Sequence, residues 1–93
     1  MDKLLDLWMK GKISLDDTCR GVVIVRINED VTIKDIFDII DDLRRNKDKN
    51  DLRIYVDDEN PFGEDIVDYL YQCDARAYDD VHGNKYYLLY GNW

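Results

Sequence analysis

The stretch GVVIVRINEDVTIKDIFDIIDDL, residues 21–43, decides the fold. Its opening, Gly21 to Ile27, is β-branched and almost continuously apolar, which predicts a strand covered on both faces or central in a sheet. Thr32 then opens a helix. The Thr32 hydroxyl is placed to cap it, Asp35 takes the reciprocal position three residues on, and Val31 is placed to staple onto Ile36. Ile33, Ile36, Phe37, Ile40 and Leu43 form the expected inner face, with Asp35, Asp38, Asp41, Asp42 and Arg45 toward water.

Downstream, Arg44 to Asp51 reads as a charged loop and Leu52 to Val56 as a second strand. Asn60 as N-cap and Pro61 at the first helical position predict a second helix. Phe62, Ile66, Val67 and Leu70 supply its inner stripe, with Glu64, Asp65 and Asp68 outside. Ala75 to Asp80 and Lys85 to Tyr90 flank Val81-His82-Gly83-Asn84, a hairpin signal. Upstream, Leu4, Leu5, Leu7 and Trp8 stripe one short helix that Gly11 is placed to stop. Ser14 with Asp17 suggests the cap of a second short turn, with a strand from Lys12 to Leu15 as the competing reading. The expected fold is α/β: a two-layer βαβαββ sandwich over residues 20–93, preceded by a helical arm over 1–19, the whole forming one domain. A right-handed crossover makes the first two strands parallel in a four-stranded mixed sheet, with both helices on one face.

The strand Leu52-Arg53-Ile54-Tyr55-Val56 running into Asp57-Asp58-Glu59-Asn60-Pro61, the helix after it, and the closing strand Tyr86-Tyr87-Leu88-Leu89-Tyr90 resemble the TusA/SirA-like sulfur-carrier family over roughly half the chain. The resemblance implies a βαβαββ two-layer sandwich. That family carries persulfide on the cysteine of a Cys-Pro pair at the start of its first helix. Here that place falls near Thr32-Ile33, with neither cysteine nor proline, and Cys19 lies too early in the chain to substitute. The resemblance therefore implies architecture and, as an alternative function, a degenerate sulfur-relay or regulatory domain using Cys19 or Cys73.

Eighteen of the twenty-one acidic residues are aspartates, and the net charge is −8 on 93 residues. A field of that sign repels nucleic acid and anionic membranes and attracts basic proteins. Two cysteines, Cys19 and Cys73, do not make a disulfide framework and read as reduced thiols. No stretch approaches a membrane span and no signal-type segment opens the chain, so a cytoplasmic protein is expected.

Chemistry-bearing patterns are sparse. Glu29-Asp30 and Asp57-Asp58-Glu59 follow the two parallel strands, where carboxylates could hold a divalent ion. Both turns also precede helices, where acidic residues suit the free amides and the dipole, so no metal or cofactor is expected. His82 sits at a turn tip, no nucleophile has an activating base, and no glycine-rich phosphate loop occurs, so no enzyme activity is expected. The outward rows Asp35, Asp38, Asp41, Asp42 and Glu64, Asp65, Asp68 point to a basic surface on a partner protein, presented much as a nucleic-acid backbone presents charge. Arg44, Arg45, Lys47 and Lys49 partly neutralise the far end of the first row. Tyr86, Leu88 and Tyr90 share one face of the last strand and Tyr87 and Leu89 the other, and with Tyr69, Tyr71, Tyr78 and Trp93 these tyrosines suggest an interface on whichever face the helices leave open. The N-terminal stripe could instead cover that face. A homodimer through the last strand is a further expectation. The reading is a small acidic binding module of inhibitor, immunity or nucleic-acid-mimicking type.

Overall fold

A computed structural model describes residues 2–19, 21–46 and 50–91. In chain order it comprises α1 (Asp2–Met9), β1 (Ile13–Cys19), β2 (Val22–Ile27), α2 (Ile33–Asn46), β3 (Asp51–Val56), α3 (Gly63–Gln72), β4 (Arg76–Asp79) and β5 (Lys85–Leu89). The strands form one mixed sheet in the order β1-β2-β3-β5-β4, parallel only between β2 and β3.

From β2 onward the elements run βαβαββ as the sequence predicts, with the parallel pair joined through α2. The arm differs. Its second half is not helical: β1 pairs antiparallel with β2, setting Ile13 opposite Ile27 and Leu15 opposite Val25, so the sheet has five strands rather than four. The Ser14–Asp17 spacing imitates a cap, but Ile13, Ser14 and Leu15 alternate with period two. Pairing with the apolar β2 outweighs the weak β propensity of the aspartates. Gly11 ends α1 at φ 74°, a conformation glycine adopts without cost.

The start of α2 shows the capping box in full. The Thr32 N–H donates to Asp35 Oδ2 at 3.0 Å, and the Asp35 N–H donates to Thr32 Oγ1 at 3.3 Å. Val31 and Ile36 are both fully buried, as a hydrophobic staple requires. Within α2 the core positions are Ile36, Ile39, Ile40 and Leu43. Phe37, expected inside, lies in the seam between helices, its ring edge-on to Tyr69 at 4.4 Å. The second helix starts later than expected. Asn60 and Pro61 form a turn, and α3 begins at Gly63 with Phe62 half exposed at its N-cap.

Leu4 and Leu7 of α1 join the same cluster as α2, Ile66 and Leu70 of α3, and Val25, Ile27, Leu52, Ile54 and Leu89 of the sheet. All three helices therefore cover one face of the sheet. The last strand, β5, is internal and bonded on both sides, so edge pairing through it is closed. The free edges belong to β1 and β4. Among the described residues no helix is long and apolar enough to cross a membrane.

Candidate functional site

The turns after β2 and β3 meet because of one amide. Asn60, 6% exposed, donates from Nδ2 to the carbonyls of Asn28 at 2.8 Å and Val31 at 2.9 Å. Its Oδ1 accepts the Phe62 N–H at 2.8 Å. One side chain thus ties the β2–α2 turn to the β3–α3 turn. Both turns also close on themselves: Asn28 Oδ1 accepts the Asp30 N–H and Asp57 Oδ1 accepts the Glu59 N–H, each at 2.8 Å. These side chains serve the backbone. Among the described residues no group of three or more His, Cys, Asp or Glu is placed to hold a metal ion.

Beside this clasp opens a cleft of about 1200 Å³, walled by the end of β3, the first turns of α3 and the β4–β5 hairpin. Asp57, Asp58, Glu64, Asp65 and Asp68 line it, with Arg26 and Lys85 also among its lining residues. All five carboxylate residues are exposed, and none lies within ion-pair distance of a described lysine or arginine.

The α2 row behaves differently. Asp35 is 9% exposed and faces Lys3 Nζ at 3.3 Å and Lys12 Nζ at 3.7 Å. Burial alone would raise its pKa, but hydrogen bonds from the Thr32 amide and hydroxyl, together with the two lysines, hold it below the ordinary value. Asp38 meets Lys34 at 3.0 Å and Lys3 at 3.6 Å, and Lys34 foremost lowers its pKa. Asp41 pairs with Arg45 one turn on. Asp42 accepts the Lys3 N–H at 3.0 Å, which is the main reason its pKa is lowered. The row that the sequence presents as outward therefore fastens α1 to α2 and laces the surface of α2. Lys47 and Lys49 lie outside the described residues.

The face of the sheet away from the helices carries the second grouping. N-terminal helix α1 packs on the helical face, so the Leu4, Leu5, Leu7 and Trp8 stripe leaves the tyrosines uncovered. Register sets Asp16, Ile24, Arg53, Leu88 and Arg76 in one row across the sheet. The next row holds Arg26 beside Tyr55 and Tyr86 beside Tyr78. The Arg26 guanidinium lies 4.3 Å from the centre of the Tyr55 ring, and that of Arg53 lies 4.2 Å from Tyr86. Tyr55 and Tyr86 are 5.5 Å apart, Tyr86 and Tyr78 5.8 Å, and the Tyr78 and Tyr90 hydroxyls meet at 3.2 Å. The Tyr55 hydroxyl donates to Asp80 Oδ2 at 3.0 Å, and Asp80 also accepts the His82 and Asn84 N–H groups to shape the hairpin tip. Burial first, and that bond second, raise the Tyr55 pKa.

Sequence reasoning missed the clasp and the arginines. The signal for the latter is the repeated spacing Arg53-x-Tyr55 and Arg76-x-Tyr78, which places cation and ring on the same strand face. Tyr71 and Tyr87 meet edge-on at 5.8 Å, with Tyr87 against the core, and Trp93 lies outside the described residues. Cys73 is a free, half-buried thiol at the end of α3, and the side chain of Cys19 lies outside the described residues. Thr32 and Ile33, at the sulfur-carrier position, are occupied in starting α2. No family model, curated protein or solved structure matches this chain.

Proposed function

We propose that this chain is a small non-enzymatic binding module that engages a basic site on a partner protein through the acidic cleft beside α3. The observation carrying this reading is the contrast between the two acidic rows. The α2 carboxylates already face the chain's own lysines and arginine, whereas Glu64, Asp65 and Asp68 stand exposed with Asp57 and Asp58 and no described lysine or arginine within ion-pair distance. Unpaired carboxylates held on a rigid helix and a clasped turn lose little freedom on meeting lysine or arginine, and their summed field speeds encounter. An inhibitor, an immunity-type protein or a mimic of a nucleic-acid backbone fits a binder of this kind. The Asp35, Asp38, Asp41 and Asp42 row adds long-range field and helix–helix fastening rather than direct contacts.

The test is affinity capture from the native host. Immobilised chain should retain a basic protein at about 50 mM salt and release it near about 500 mM, where screening collapses the field to a few ångströms. Joint reversal of Glu64, Asp65 and Asp68 to lysine should slow association by roughly tenfold or more. Joint reversal of Asp38 and Asp41 should change it far less. Capture that survives the α3 reversal, or that is lost equally with the α2 reversal, refutes the assignment.

A further inference from the structure

We infer that the open face of the sheet is a second docking surface, built to receive a carboxylate-bearing polypeptide segment of a partner protein. Three observations converge. First, Arg26, Arg53 and Arg76 gather here in a chain of net charge −8, and no described carboxylate lies within ion-pair distance of any of them. Second, Arg26 and Arg53 are stacked on tyrosine rings at 4.3 and 4.2 Å. Stacking uses the flat face of a guanidinium and leaves its edge donors free, already oriented for the two oxygens of a carboxylate. Third, Arg53 Nε is shut away from solvent without a hydrogen-bond partner. Such a donor is normally satisfied, and a carboxylate on the row satisfies it once the side chains over it shift.

The surface also specifies what lies between the charges. Along the first row the half-buried Leu88 lies between Arg53 and Arg76, Ile24 beyond Arg53 is buried, and Tyr78 and Tyr90 stand exposed beside them. An occupant matching this pattern alternates acidic and apolar side chains, as an extended segment does on one edge or a helix does on one stripe. A nucleic-acid strand fits less well. It brings a continuous row of phosphates to a body whose remaining charge is negative, whereas these cations are separated by apolar side chains. No segment of the described chain fills the role, since all three helices pack on the opposite face.

The experiment is a titration of the isotope-labelled chain followed by amide and arginine Nε–H resonances. The probe is a short acetylated peptide alternating glutamate with leucine, compared with a lysine–leucine peptide and with oligothymidylate. Saturable shifts confined to open-face residues of β2, β3, β5 and β4, with a large change at Arg53 Nε–H, are expected at a dissociation constant below about 1 mM. Arg53→Gln should weaken binding by roughly tenfold or more, and Arg53→Lys nearly as much, because lysine keeps the charge without the stacked fork. Both variants should keep the parent's helical-face resonances, which separates lost binding from lost folding. No saturable shift, equal shifts with the lysine–leucine peptide, or binding by oligothymidylate in place of the acidic peptide overturns the inference. Reversal of Glu64, Asp65 and Asp68 should keep the acidic-peptide shifts on the same residues, with affinity equal or higher, so loss of basic-partner capture by that variant leaves this inference standing.

Discussion

Replacing Asn60 with alanine tests whether one buried amide holds the two turns together. The side chain makes three hydrogen bonds, to the Asn28 and Val31 carbonyls and from the Phe62 N–H, and is 6% exposed. The Asn28 carbonyl keeps a long contact from the Val31 N–H at 3.5 Å, so its loss is the smallest of the three. The Val31 carbonyl and the Phe62 N–H lose their side-chain partner. At about 1 kcal/mol for each bond, and somewhat more where a buried group stays unpaired, Asn60→Ala should cost about 3 kcal/mol. For a domain of this size that lowers the melting temperature by about 10–20 °C. Asn60→Asp sharpens the test. It keeps the acceptor for Phe62 but turns an anionic oxygen toward two carbonyls, so the folded-state pKa of the new carboxyl is raised above its unfolded value of about 3.9. A raised carboxyl pKa makes the folded state bind more protons, so the deficit is largest at neutral pH and shrinks as pH falls toward that pKa. Urea unfolding followed by circular dichroism at pH 7 and pH 5 measures both variants. An Asn60→Ala deficit within about 0.5 kcal/mol, or an Asn60→Asp deficit independent of pH, refutes the clasp.

Other outcomes follow from the same contacts. Asp35, Asp38, Asp42 and Asp80 all have lowered pKa values. The stability they contribute is complete above the unfolded carboxylate pKa and is lost as pH falls through the folded values, so melting temperature should hold from pH 7 to about 5 and drop below about 4. Asp35→Asn should flatten that acid limb in thermal scans. Ile40→Ala empties a fully buried position and should cost about 3 kcal/mol, whereas Phe37→Ala, 44% exposed in the helix seam, should cost about 1 kcal/mol in chemical denaturation.

Local signals carried the sequence reading wherever one interaction had no competitor. Thr32 and Asp35 form the capping box the spacing demands, and β2 and β3 begin and end within a residue of the pattern, whereas α2 continues through Arg44, Arg45 and Asn46, which the charge run presents as loop. The reading failed where partners distant in sequence decide. Residues 13–19 become a strand where β2 offers an edge, and Asn60 serves a turn some thirty residues upstream as well as the Phe62 N–H beside it. The acidic rows were legible as residues but not as sites. Helical periodicity puts Asp35, Asp38, Asp41 and Asp42 on one stripe, yet it cannot say that α1 brings Lys3 to three of them. The arginine–tyrosine face required the register of four strands, which no single segment encodes.

Solubility alone does not account for this arrangement of charge. A net charge of −8 keeps a chain of this size dispersed wherever the aspartates fall, and dispersion gains nothing from arginines gathered with no described carboxylate in ion-pair distance. Yet the α2 carboxylates form internal pairs, the cleft carboxylates have no described cation within ion-pair distance, and Arg53 and Arg76 lie on the opposite layer of the molecule, with Arg26 at the cleft's margin. Tyrosine faces replace carboxylates as partners for Arg26 and Arg53, which holds the guanidiniums in place without neutralising them. Separating unneutralised charges of opposite sign forgoes attraction within the fold, and under the proposed function that attraction is recovered when each surface meets a complementary one. The two surfaces join at the end of β2 and β3, where Arg26 and Tyr55 belong both to the open face and to the lining of the acidic cleft. A bound partner on either side therefore sets the field felt at the other, and occupancy of the cleft by a basic protein should strengthen the arginine face for an acidic one.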